Sequence, residues 1–115
     1  MLKPRDPREL AIDLMSRSTC SVQVGCCIAD DYGIFSWGSN HIGFDGLGCH
    51  AEIEAIRKAN HKRMKKGAFL YVSSRRKRNG KVVNSKPCDA CHAVIKSYSM
   101  HAWFRLDTGL WLRAL

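Results

Sequence analysis

Apolar positions recur with a helical spacing at the start of the chain, where Leu10, Ile12, Leu14 and Met15 follow Asp6-Pro7. Asp is a favourable N-cap because its carboxylate accepts from first-turn N–H groups, and Pro loses nothing there, since those groups have no intrahelical partner. The spacing predicts a helix over 7–16, with Arg8, Asp13 and Arg17 towards solvent. Residues 22–29 are β-branched and apolar, Asp30-Asp31-Tyr32-Gly33 is a turn, and 34–37 returns as the second strand of a hairpin. Gly25 inside the first strand marks a bulge or a close approach of backbone. Residues 38–49 form a loop with four glycines, Gly38, Gly43, Gly46 and Gly48, but no phosphate-loop Lys-Ser/Thr follows. Ile53, Ala55, Ile56 and Ala59 give a buried stripe to a helix over 50–60. Lys65-Lys66-Gly67 punctuates its end.

Residues 68–72 read as the central strand, and 73–86 as an exposed loop turning at Asn79-Gly80. A third helix over 88–98 presents Val94, Ile95 and Tyr98 inward. Two short strands, 101–104 and 110–112, are joined at Asp107-Thr108-Gly109. The order is α-β-β-α-β-α-β-β, an α/β fold in three layers. The last connection is too short for the crossover that parallel neighbours require, so the final two strands run antiparallel. At 115 residues the chain is read as a single domain over 1–115.

Chemistry concentrates in two places. Cys88 and Cys91 are three apart, so at a helix start both sulfurs share one face. His50 supplies a third ligand of the kind zinc takes, which leaves one tetrahedral position for water. Glu52, two residues on, can reach that water without binding metal and so can move protons. Three ligands, an open position and an adjacent carboxylate are the parts of a hydrolytic zinc centre. A closed Cys₃His site using Cys49 is the competing arrangement. Adjacent residues at a helix start point about 100° apart, so Cys49 and His50 are poorly placed to share one ion. His92, directly after Cys91, is a candidate donor to a ligand thiolate, and Phe44 a candidate surface for stacking a base.

His50-Ala51-Glu52 with Pro87-Cys88-Asp89-Ala90-Cys91 resembles the signature of the cytidine and deoxycytidylate deaminase superfamily, the zinc-dependent nucleobase deaminases. The resemblance runs from Val22, through a Val-Gly-Cys stretch similar to that family's Val-Gly-Ala, to Cys91, and more loosely to the C-terminus. It implies a mixed five-stranded sheet with helices on both faces, one zinc ion per chain and hydrolytic deamination of a cytosine base to uracil. It also implies that Asn40 binds the substrate sugar, that Ala51 and Pro87 hold the base through main-chain groups, and that the chain forms a homo-oligomer. The predicted terminal hairpin is similar to the branch acting on free cytidine.

Composition sharpens the question of substrate. The formal charge is +9, and twelve of the 19 Lys and Arg residues fall within 57–86, a stretch without Asp or Glu. Arg75, Arg76, Lys77, Arg78, Lys81 and Lys86 lead into the metal motif and are candidate contacts to phosphates. Single-stranded DNA or RNA is therefore an alternative substrate to a free cytosine nucleoside or nucleotide. A nucleic-acid-binding module with a structural zinc is the alternative of another class. The six cysteines have metal-ligand or core spacing rather than the look of a disulfide framework, which fits a reducing compartment. With no apolar run long enough to span a bilayer and no apolar leader after Met1, the expectation is a cytoplasmic protein without membrane contact.

Overall fold

The computed structural model describes residues 5–42 and 48–114. Helix α1 (Pro7–Leu14) opens as expected, with the Asp6 carboxylate accepting from the Arg8 N–H, and tightens into a 3₁₀ turn over Met15–Arg17. Strands β1 (Val22–Asp30) and β2 (Gly33–Ser39) form the hairpin. A small hairpin of β3 (His41–Ile42) and β4 (Gly48–Cys49) then leads into α2 (Ala51–Lys58). The helix expected over 50–60 ends at Lys58, and a second, short helix follows it. Ala59 is extended, and Asn60 caps α3 (His61–Lys65) by accepting from the Arg63 N–H.

Strand β5 (Phe69–Arg76) runs four residues beyond its expected end and pairs with β6 (Val82–Val83). Arg75 and Arg76, expected in a loop, are thus strand residues. The excess arises because Val22, Gln23 and Val24 at the start of β1 offer their edge to Arg76, Arg75 and Ser74. Helix α4 (Asp89–Ser97) follows, then β7 (His101–Arg105) and β8 (Trp111–Arg113).

The sheet order is β2-β1-β5-β7-β8, with β6 on the extended end of β5. β5 and β7 are parallel, and the other pairs, including the terminal β7–β8, are antiparallel. The main path has the expected five strands, and β6 makes a sixth.

Strand alternation divides the core into two layers. On one face Cys26, Ile28, Leu70, Val72, Ala102 and Phe104 meet Ala51, Ala55 and Ile56 of α2 and Ile95 of α4. On the other, Cys27 packs with Ala11 and Leu14 of α1, flanked by Ile34, Tyr71 and Trp111. Gly25 faces α1 so closely that an added Cβ would lie 2.1 Å from the Ala11 carbonyl oxygen. It serves close approach rather than a bulge; the strand irregularity falls between Ile28 and Ala29. Gly38 does the same for α2 on the opposite face, where a Cβ would lie 2.7 Å from the Ala51 carbonyl oxygen. Two glycines thereby seat two helices on the sheet. Among the described residues no helix is long and apolar enough to cross a membrane.

Candidate metal centre

The candidate metal-ligating residues arrive from the N-termini of two helices on one face of the sheet. His50 is the N-cap residue of α2 and Cys88 that of α4, while Cys91 lies one turn into α4. Their donor atoms fall within 4.8 Å of one another. The His50 Nδ1 is 3.1 Å from the Cys91 Sγ and 3.7 Å from the Cys88 Sγ. A tetrahedral ion with Zn–N near 2.0 Å and Zn–S near 2.3 Å separates its donors by roughly 3.3–3.8 Å. The observed spacing needs only small adjustments to hold one zinc. His50 and Cys88 are exposed and Cys91 is buried, so the centre has an open side.

Burial, followed by the Glu52 and Cys88 charges, pushes the Cys91 thiol well above its ordinary range. The helix N-terminus alone therefore does not make this thiolate, whereas a divalent cation does so readily. Glu52 occupies the first turn of α2 and is only 6% exposed. Burial raises its carboxyl pKa, opposed by a backbone hydrogen bond and by His50. Its charge adds to burial in raising the thiol pKa of both Cys91 and Cys26.

The model of the family described as cytidine and deoxycytidylate deaminase zinc-binding region matches residues 5–105. The chain belongs to this deaminase family. Among solved structures, it resembles the cytidine deaminase of Burkholderia pseudomallei at 14% identity and a TM-score of 0.65, over 94% of this chain and 88% of that one. The Mycobacterium leprae cytidine deaminase gives 17% identity and 0.59, over 92% and 88%. That of Mycobacterium tuberculosis gives 20% and 0.56, over 83% and 79%. At these identities the likeness concerns the fold. A search of curated proteins found no match.

Other residues singled out in this deaminase-family chain are placed as follows. Ala51 and Pro87 are both buried beside the ligands, and Pro87 precedes the α4 cap rather than lying in its first turn. The Asn40 side chain accepts from the Val24 N–H at 2.8 Å and donates to the Val22 carbonyl at 2.8 Å, continuing the β1 edge past β2. One amide N–H and one oxygen lone pair are left for another partner. The His92 Nε2 is buried and makes no hydrogen bond among the described residues. Phe44 lies outside the described residues.

The cations divide. Arg75 alternates onto the α1 face with Ser73, and its Nε donates to the Gln23 Oε1 at 2.8 Å. This removes it from the metal side. Arg76 alternates onto the α2 and α4 face, and Arg76, Lys77, Arg78, Lys81 and Lys86 are exposed. Sequence reasoning missed the pairing of Cys49 with His41 and Glu54, which a three-element contact alone reveals.

Proposed function

We propose that this chain is a zinc-dependent hydrolase that converts the cytosine base of a free nucleoside or nucleotide to uracil, releasing ammonia. The observation that carries this is the convergence of His50, Cys88 and Cys91 on an open face, with the buried Glu52 carboxyl beside them. His50, Cys88 and Cys91 would hold one zinc ion, which when bound makes a coordinated water acidic enough to react near neutral pH. Glu52 would take a proton from the water that attacks C4 and return it to the ring nitrogen N3. It then carries the remaining hydroxyl proton to the amino group, so that C4 becomes a carbonyl and ammonia departs. Main-chain groups at Ala51 and Pro87 hold the base, and the free half of the Asn40 amide meets the sugar.

A reading with the same chemistry on single-stranded nucleic acid is supported by the position of the cations. Val22 pairs with Arg76 and accepts from Asn40, so the basic β5–β6 hairpin stands at the same end of the sheet as the proposed sugar contact. The cytoplasm is the compartment that suits six free thiols. Assembly into a homo-oligomer would cover the α1 side, where a groove of about 850 Å³ is lined by Tyr71, Trp103, Leu110 and Trp111. The test compares purified protein on cytidine, deoxycytidine, deoxycytidylate and a cytosine-containing oligonucleotide. Turnover of the small substrates with ammonia release is expected. No deamination of any of the four by zinc-loaded, folded protein overturns the reading.

A further inference from the structure

We infer that the chain carries a second divalent transition-metal site, built from His41, Cys49 and Glu54 and lying back to back with the first. The three come from β3, β4 and α2, and their donor atoms fall within 4.8 Å of one another. His41 and Cys49 are direct partners across the small antiparallel hairpin. Glu54 enters from one turn into α2, and its Oε2 is 2.9 Å from the His41 Nδ1. Imidazole, thiolate and carboxylate together form a mixed N, S, O set that suits zinc or cobalt, while the thiolate and imidazole disfavour magnesium and calcium.

A tetrahedral site separates its donors by roughly 3.3–3.8 Å, and three donor atoms that already fall within 4.8 Å of one another need only side-chain rotations to close on one ion. A fourth position stays open to solvent through a cavity of about 360 Å³ that His41 and Glu54 help to line. Two groups compete locally: the Ser39 carbonyl oxygen lies 3.1 Å from the His41 Nδ1, and the Lys58 Nζ lies 3.5 Å from the Glu54 Oε1, where its 48% side-chain exposure lets it swing away. Cys49 and His50 are neighbours in sequence yet belong to different clusters, because β4 ends and α2 begins between them. An ion here ties the β3–β4 hairpin to the helix that carries His50 and Glu52. No particular substrate at the first centre is required for it.

The test strips the full chain with a chelator under reducing conditions and reloads it with Zn²⁺ alone, followed by gel filtration and elemental analysis. Two ions per wild-type chain are expected, and one in each of Cys49→Ser and His41→Ala. One ion per wild-type chain at saturating zinc overturns the proposal, as do two ions retained in both variants. Reloading with Co²⁺ gives a second readout, because thiolate-to-cobalt absorption reports the number of sulfur ligands. Loss of Cys49 should lower it by about a third, from three thiolates to two. An unchanged band in folded Cys49→Ser protein overturns the site, and His41→Ala decides the question if the cysteine variant fails to fold.

Discussion

Glu52 is held inside the first turn of α2 by packing, and desolvation there favours its protonated form. A carboxyl so placed can take and return a proton with little cost in either direction, which suits a shuttle between water, N3 and ammonia. Replacing it with Gln keeps shape and burial but removes the exchangeable proton. We expect Glu52→Gln to lower turnover by roughly 10²–10⁴-fold, with metal content and the circular dichroism spectrum unchanged. Loss of zinc together with loss of fold would make Glu52 a structural group. Cys26 and Cys27 present the opposite case. Burial pushes the Cys27 thiol up to about 12 and the Cys26 thiol well above its ordinary range, so both remain protonated near neutral pH. Peptide mapping after iodoacetamide treatment of native protein at pH 8 should find both unmodified and, after denaturation, both alkylated. His50 with Glu52 and Cys88 with Cys91 were legible as candidates because each pair has a short spacing, while the meeting of the two pairs was expected only from the resemblance to the deaminase signature. The Arg75–Gln23 and His41–Glu54 partnerships were not, because each joins residues that only the sheet register or the α2 contact brings together.

At the scale of elements, two close approaches set where the helices lie. Gly38 admits the Ala51 carbonyl, so the start of α2 is pressed against β2 beside the metal ligands. Gly25 admits α1, with backbone atoms of Ala11, Leu14 and Met15 all within 3.0 Å of where a Cβ would sit. Backbone cannot move aside as a flexible side chain can. Gly25→Ala should therefore cost at least about 1–3 kcal/mol, the usual range for overpacking, seen as a lower urea midpoint. A second element contact is electrostatic. Arg63 of α3 donates to Asp30 at the end of β1, with Nη2 2.7 Å from Oδ1, and lies 4.2 Å from the Phe35 ring centroid. The hydrogen bond from Arg63 holds the Asp30 carboxyl below its usual range. Its stabilisation is fully present above the unfolded pKa, about 3.9, and is lost as pH falls through the lower folded value. Asp30→Asn should therefore be less stable than wild type at pH 7, with the difference shrinking below pH 4. Equal differences at pH 7 and pH 3 would remove the ionised pair from the account. Helix and strand order could be read from periodicity, but the break at Ala59 was masked by the apolar stripe that continues across it. The length of β5 was masked too, since Ser73 to Arg76 look like loop residues until β1 is laid beside them.

For the whole molecule, charge and shape decide between a small substrate and a polymer. Two of the twelve cations within 57–86 are engaged inside the fold, Arg63 by Asp30 and Arg75 by Gln23. The others are exposed on the end of α2 with α3, on the β5–β6 hairpin, and at Lys86, which directly precedes Pro87. The hairpin stands at the Asn40 end of the sheet. A mononucleotide engages one or two of these side chains, whereas a strand crossing the hairpin engages several. Each phosphate neutralised on a single strand adds a slope of roughly 0.7 to the fall of log affinity with log salt. Neutralising Arg76, Lys77, Arg78 and Lys81 together should thus leave cytidine turnover unchanged, since none touches a neutral nucleoside. If the polymer is the substrate, the same variant should flatten the salt dependence of oligonucleotide KM by roughly 2–3 units of slope. A salt slope no steeper for the oligonucleotide than for deoxycytidylate, and insensitive to the substitutions, would confine this deaminase to free nucleosides and nucleotides and leave the hairpin charge with no part in substrate binding.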